Sequence, residues 1–445
     1  MKLLQQAIFV LTLATAFYLV AKRVIRIRNN ILSGKPEKIS GDRSQRLKNM
    51  LLVAFGQKKM FQKPIPALLH LCVYSGFLLI NIEVLEIVID GIFGTHRIFA
   101  TALGAFYSTL ISFFEILATL VITACVVFLI RRHILKVKRF SGLEMTRWPV
   151  LDAMLILVIE IALMVSILTM NGADQVLQTR DVGYTATGPF LLSGLLKPFF
   201  SNFSTGTLIV AERTAWWFHI LGIFAFALYI TYSKHFHIAL AFPSTYFAKL
   251  EAKGKIKNMP EVMAEVKSMM GEETGEEETP EIPVLGAKDA TDLSWKSLMD
   301  AYTCTECGRC TSNCPANLTG KMLSPRKVMM DTRDRIEEIG EFRSKNGENT
   351  PDGKSLLGNY ISHEELNACT TCNACTDACP INLDPLSIII QLRRHMAMEE
   401  SSSPNEWNMM FANIENNFAP WKFPASDRFN WATELANEKP TEQKS

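Results

Sequence analysis

Eight of the ten cysteines fall in two short runs, CTECGRCTSNCP from Cys304 to Pro315 and CTTCNACTDACP from Cys369 to Pro380. Both read Cys-x2-Cys-x2-Cys-x3-Cys-Pro. Three thiolates at this spacing can cap three irons of one cubane. The fourth lies too far along the chain to reach that cubane and ligates its neighbour. The pattern predicts two [4Fe–4S] clusters. Cys304, Cys307, Cys310 and Cys379 hold one; Cys369, Cys372, Cys375 and Cys314 hold the other. Each proline ends the local turn and brings no N–H that would need a partner. Zinc sites use well-separated Cys-x2-Cys pairs without the tight triple.

Histidine supplies the second candidate chemistry, because an imidazole inside an apolar run is costly and usually functional. His70 stands in KPIPALLHLCVYSGF, His219 in ERTAWWFHILG, and His235 and His237 in YSKHFHIALAF. His219 and His237 are eighteen residues apart. At 3.6 residues per turn that is five full turns, so both are expected to face the same way, with His235 roughly opposite. His70 and His237 match in depth near the inner surface and are expected to be the axial pair of an inner haem b. His219 suits an outer haem, whose second ligand is not evident; His96 is too shallow. One or two haems b are therefore expected. His133 and, further on, His363 and His395 are expected at the surface.

Acidic residues also interrupt the apolar runs: Glu83, Glu86, Glu115 and Glu160. They are candidates for proton handling at a quinone site, or for interhelical hydrogen bonds in their protonated form. Cys72 and Cys125 read as small packing residues.

These groups need elements to hold them. Five stretches could span a hydrocarbon core: Leu3–Ala21, Ile65–Ile89, Leu103–Ile130, Val150–Met170 and Thr214–Tyr232. The first lacks the basic start and Ala-x-Ala site of a cleaved signal and is expected to be retained. Residues 22–64 carry twelve Lys and Arg and residues 131–148 carry six. The loops 91–102 and 171–212 carry only Arg97, and Arg180 with Lys197. The positive-inside rule then puts the N-terminus outside and everything after Tyr232 in the cytoplasm. That compartment is reducing, which suits clusters rather than disulfides. Trp216 and Trp217 fit the outer aromatic belt. The net charge of +2 and the lack of a basic patch interleaved with aromatics point away from nucleic acid.

The chain thus divides into a membrane domain over 1–242, a surface helix and acidic tether over 243–291, a helical cluster domain over 292–400 and a docking tail over 401–445. In the cluster domain, Leu293, Trp295, Leu298 and Met299 form an amphipathic segment. SPRKVMMDTRDRIEEIGEF reads as a helix with Ser324 as N-cap, Pro325 first and Gly340 near its end. GENTPDGKS reads as a loop, and DPLSIIIQLRRHMAM as a second helix. The expected class is all-α: a five-helix transmembrane bundle followed by a cytoplasmic α-helical dicluster ferredoxin domain.

Residues 292–431 resemble the iron–sulfur C-type subunit of heterodisulfide reductases. The likeness rests on both cysteine runs, the insert after ANLTGKMLSPRKVMMDTRDR and the ENNFAPW tail. Residues 1–242 resemble the cytochrome b subunit of respiratory nitrate reductase, through five spans, PALLHL in the second and the His219/His237 spacing. The combination is similar to membrane-bound oxidoreductases that link electron-transfer flavoprotein, or a related donor, to menaquinone. That family pattern has a second histidine farther along the second span, where Leu78–Ile82 has none. Larger relatives continue into CCG-type domains with a further catalytic cluster; the chain has no Cys-Cys pair, so a separate, heterodisulfide reductase B-like subunit is the implied partner. The resemblance implies a quinone-linked, respiratory oxidoreductase subunit in the inner membrane. A membrane-anchored iron–sulfur sensor or scaffold without haem is the alternative.

Overall fold

The computed structural model describes residues 2–271, 284–347 and 350–437. The acidic tether after Gly271 lies outside the described residues, as do two positions of the GENTPDGKS loop. Among the described residues every regular element is helical and there is no strand.

Among the described residues five helices are long and apolar enough to cross a membrane: α1 (Lys2–Leu32), α2 (Pro64–Phe93), α3 (Ala105–His133), α4 (Arg147–Leu177) and α5 (Thr205–Ile230). Most run several residues past the apolar stretch that marks them. In α1 the extra turns carry Lys22, Arg23, Arg26 and Arg28, and Arg23 meets the cluster domain. Starts are set locally: Pro64 occupies the first turn of α2, and the Ser204 hydroxyl accepts from the Thr207 N–H to cap α5. α4 lies along α5 and α3, α3 packs on α2, and α1 leans against α2 and α5. Gly76 and Gly222 permit close packing, since a Cβ at either would lie 2.4 Å from Val121 or 2.7 Å from Leu163.

One expectation fails here. The apolar run around His219 does not continue as helix through His237. α5 ends at Ile230, a turn and the 3-10 element Lys234–Phe236 intervene, and a separate helix, α6, runs His237–Tyr246. The cause is Asp152 on α4. Its carboxylate accepts from the Ser233 hydroxyl at 2.6 Å and the Lys234 N–H at 3.3 Å, and so stabilises a non-helical turn. The eighteen-residue spacing therefore carries no facing information.

The cluster domain is built on α7 (Trp295–Thr303), α8 (Pro325–Asn346) and α9 (Pro385–Met398). Ser294, Ser324 and Asp384 cap their N-termini through side-chain oxygens. Leu293, Leu298, Val328, Ile336, Ile388, Ile389 and Leu392 are almost fully buried between them. α8 does not end near Gly340 but continues to Asn346. His395, expected at the surface, is buried.

This domain sits directly on the Lys/Arg-rich ends of the spans. Arg23 on α1 makes paired bonds of 2.9 and 2.8 Å to Glu337 on α8. Asn30 donates to the Tyr302 hydroxyl at 2.8 Å, and Lys35 exchanges backbone bonds with Leu293 and Trp295. In the loop between α3 and α4, Glu144 accepts from Arg326 at 2.8 Å and from Ser324 at 2.6 Å. Among the described residues the 405–437 tail exposes Trp407, Phe411, Phe418, Trp421 and Trp431.

Candidate redox site

The two cysteine runs share one backbone conformation. Their third residues, Glu306 and Thr371, both have φ +54°, and their fifth, Gly308 and Asn373, have φ +71° and +62°. A left-handed residue at these positions turns successive peptide N–H groups inward, a concavity suited to anionic sulfur. The Thr371 N–H donates to Cys369 Sγ at 3.4 Å and the Leu383 N–H to Cys379 Sγ at 3.3 Å. Gly308 is required twice, since a Cβ there would also sit 2.7 Å from the Arg139 carbonyl oxygen.

The runs lie side by side, with Arg309–Ser312 packed on Ala374–Ala378. Thiols of one run lie in the electrostatic field of thiols of the other. Cys304 and Cys310 each lie in the electrostatic field of Cys307 and Cys379. Cys369 lies in that of Cys314 and Cys372, and Cys375 in that of Cys369. Cys379 and Cys314 thus each lie near thiols of the other run, and Cys310 also lies in the field of Cys375. No three metal-ligating side chains among the described residues converge on one ion. A cubane instead spreads its thiolates over four corners. Burial pushes the Cys304 and Cys375 thiols up to about 12 and Cys379 up to about 11. Such thiols ionise only against compensating charge, which bound iron supplies. Cys372 alone of the eight is exposed.

The histidines separate by tautomer. The His70 Nδ1–H donates to Gln57 Oε1 at 3.0 Å, His237 Nδ1–H to the Lys234 carbonyl at 3.1 Å, and His219 Nδ1–H to the Leu163 carbonyl at 2.9 Å. For His70 and His237 the partner is an amide or carbonyl oxygen, which only accepts, so the proton sits on Nδ1 and Nε2 keeps its lone pair. That is the tautomer of a metal-ligating histidine with an oriented ring. His219 Nδ1 also stands 3.1 Å from the Ser166 hydroxyl, whose own proton goes to the Leu163 carbonyl at 2.8 Å. His219 Nε2 is buried with no hydrogen-bond partner. His96 is arranged the other way: its Nδ1 accepts from the Thr185 N–H at 3.2 Å and its Nε2 faces Asp174 at 3.2 Å. Both nitrogens of His96 are committed to protein.

His70 and His237 have ring centroids 6.4 Å apart, inclined at 42°. An imidazole nitrogen binds a metal at ~2 Å, so two rings on opposite sides of one ion have centroids about 6.3 Å apart. The observed centroid spacing is close to that value. His235 lies 5.5 Å from His237, edge to face. Burial lowers the His235 imidazole to about 3 and also lowers His237, so both are neutral at physiological pH.

At the far end of α2 the acidic residues gather. Arg97, buried, donates to Asp174 at 2.8 Å, Asn171 at 2.7 Å and the Tyr107 hydroxyl at 3.0 Å, and stands 3.8 Å from Glu83. Glu86 accepts from Tyr107 at 2.6 Å and from the Phe99 N–H at 2.8 Å. Asn171 stands 3.5 Å from Glu83 and 3.4 Å from Glu115. Glu115 also accepts the Leu192 and Ser193 N–H groups. Glu160 is buried apart from them, beside Cys125. A cavity of about 300 Å³ opens here, lined by Glu83, Glu86, Asp90, Arg97, Glu212 and Trp216. Sequence reasoning missed Asp90, Asn171, Asp174 and Glu212. The lone charge in the 91–102 loop, Arg97, was the available signal.

The 4Fe-4S dicluster domain pattern matches residues 303–383. The chain is 28% identical over 98% of its length to a probable iron-sulfur-binding oxidoreductase, FadF, of Bacillus subtilis. It is 26% identical over 88% of its length to an EtfAB:quinone oxidoreductase of Syntrophomonas wolfei. It spans 62% and 54% of those two proteins. A probable membrane-anchored ferredoxin of Chromohalobacter salexigens is 28% identical over 34% of this chain and 24% of its own. No solved structure matches. The chain is therefore similar to membrane-associated iron–sulfur electron-transfer oxidoreductases and carries a dicluster ferredoxin-type segment on five membrane-length helices.

Proposed function

We propose that the chain is a quinone-linked electron-transfer subunit of the inner membrane. Its cluster domain faces the cytoplasm and receives electrons from a soluble redox partner. Cys304, Cys307, Cys310 and Cys379 ligate one [4Fe–4S] cluster, and Cys369, Cys372, Cys375 and Cys314 the other. His70 and His237 hold a haem b where α2 and α6 meet that domain. The clusters and haem supply one-electron transfer; the chain supplies ligation, spacing and exclusion of water. His219, with its free Nε2, is the ligand offered to a second haem farther along the bundle. The cavity bounded by Glu83, Glu86 and Arg97 suits a quinone headgroup, with the carboxylates as proton donors or acceptors. Glu115 joins them through Asn171.

The observation that carries this reading is the 6.4 Å spacing of His70 and His237, both in the ligating tautomer, at the end of the bundle where the cysteines sit. A cytoplasmic partner with a CCG-type domain, or an electron-transfer flavoprotein, would meet the exposed Cys372 edge. The likeness to an EtfAB:quinone oxidoreductase supports a reading in which such a donor passes electrons to a quinone, here taken as menaquinone.

The likeness to a membrane-anchored ferredoxin favours a second reading, an anchored iron–sulfur protein without haem. One experiment separates them. Purified after haem-replete expression, the chain should give a b-type band in the reduced-minus-oxidised spectrum, together with cluster EPR. Cluster EPR with no Soret absorbance would leave only the second reading.

A further inference from the structure

A short stretch of chain links His70 to the nearest cysteine set. Gln57 follows the turn Leu51–Phe55 and precedes the 3-10 element Met60–Gln62. Its side chain is almost wholly buried and its backbone is left-handed, at φ +50°. A long polar side chain rarely takes that conformation without a positional reason. The amide oxygen accepts the His70 Nδ1–H at 3.0 Å, while the amide nitrogen is buried with no hydrogen-bond partner. Two residues on, Lys59 Nζ donates to Asn382 Oδ1 at 2.9 Å and lies in the field of Cys379. Arg309, between Cys307 and Cys310, is buried, reaches the Lys59 carbonyl at 3.5 Å and lies within electrostatic range of His70.

We propose that Gln57–Lys59 is a positioning element shared by two redox centres: Gln57 fixes the tautomer and ring angle of His70, and Lys59 biases the cluster on Cys379 toward its reduced form. This rests on the reading of His70 and Cys379 as ligands. A neutral acceptor on Nδ1–H orients the ring and adds little negative charge to it. A carboxylate at the same place would pull the proton and favour the oxidised iron. A reduced cluster carries one more negative charge, which an ammonium beside its thiolate stabilises.

The test uses the full chain, purified with haem, in optical and EPR redox titrations. Wild type comes first: absence of a haem band there would sink the functional reading and the Gln57 assignment with it, while the Lys59 assignment is still decided by the cluster EPR titration. In Gln57→Glu, haem is expected to remain and its equilibrium to move about tenfold toward the oxidised form, 59 mV for one electron. In Lys59→Met, one cluster is expected to move about tenfold the same way, with the other cluster and the haem unmoved; Lys59→Arg should restore it. Wild-type potentials in both Gln57→Glu and Lys59→Met would overturn the proposal, as would equal shifts of both clusters in Lys59→Met. Should Gln57→Glu not accumulate, Gln57→Asn withdraws the amide by one methylene. Haem occupancy is then expected to fall with cluster EPR intact, and full occupancy at an unmoved potential would overturn the Gln57 assignment.

Discussion

The guanidinium of Arg23, on the first spanning helix, meets the carboxylate of Glu337, in the cluster domain, through two bonds of 2.9 and 2.8 Å. Glu337 also accepts from the Tyr302 hydroxyl at 2.7 Å, and Arg23 lies 4.4 Å over the ring of Tyr232. The pair therefore ties α1, the end of α5 and α8 together. A paired arginine–carboxylate bond away from bulk water is among the stronger polar contacts. A double-mutant cycle with Arg23→Met and Glu337→Gln should give a coupling of about 2 kcal/mol in the thermal stability of the solubilised protein. Additive single effects would show that the junction is held elsewhere.

Haem content should separate the histidines. His70→Ala and His237→Ala are each expected to remove the same b-type component while both cluster EPR signals persist. His235→Ala should leave that component in place, since it is the 6.4 Å pair that matches one iron and His235 stands edge to face with His237. Retention of the band in His70→Ala would refute the axial pairing.

Cross-ligation makes an equally specific expectation. Cys379→Ser should perturb the cluster whose other ligands begin at Cys304, and Cys314→Ser the one whose ligands begin at Cys369. Paired EPR and Mössbauer spectra of the two variants read this directly. If Cys379→Ser instead alters the cluster of Cys369, Cys372 and Cys375, each run is a self-contained site.

What could be read from the residues follows their locality. Five apolar runs gave five spans, because length and hydropathy act within one segment. Ser324 marked a helix start, because a cap needs only its own next turn. The cysteine spacing carries its own chemistry. His237 shows the limit: its helix breaks because Asp152, over eighty positions earlier, holds the turn at Ser233. The same holds for the acidic cluster, where Glu83, Glu86 and Glu115 were visible as buried carboxylates. Their meeting with Arg97 and Asn171 needed three helices to be packed first. Gln57 offered no signal at all, being one polar residue in a basic loop.

The junction should also respond to acid. Glu144 is held below its ordinary value of 4.5: burial opposes this, but the bond from Ser324 and the Arg326 charge outweigh it. A carboxylate lowered by folding contributes stability above its unfolded value and loses it as pH falls through the folded one. Stability should therefore drop progressively below about pH 4.5. In Glu144→Gln that part of the acid dependence should vanish, leaving a protein less stable at neutral pH. An unchanged pH profile in Glu144→Gln, measured by thermal unfolding in detergent, would remove Glu144 from the account.

Gly340 sets two effects of opposite sign against each other. It lies inside α8, where alanine ordinarily gains about 1 kcal/mol over glycine. A Cβ at this position, however, would stand 2.2 Å from Asn30 Oδ1 and 2.8 Å from its other side-chain atoms. Asn30 is buried and donates to the Tyr302 hydroxyl, so it cannot swing away without leaving Tyr302 and Glu337 rearranged. Overpacking of this kind costs about 1–3 kcal/mol, and the broken bond adds about 1 more. The contact should win over propensity. Gly340→Ala is expected to destabilise the solubilised protein by about 1–3 kcal/mol net, and Asn30→Ala in the same chain should recover part of the loss. A Gly340→Ala protein more stable than wild type would mean that α1 and α8 do not approach this closely.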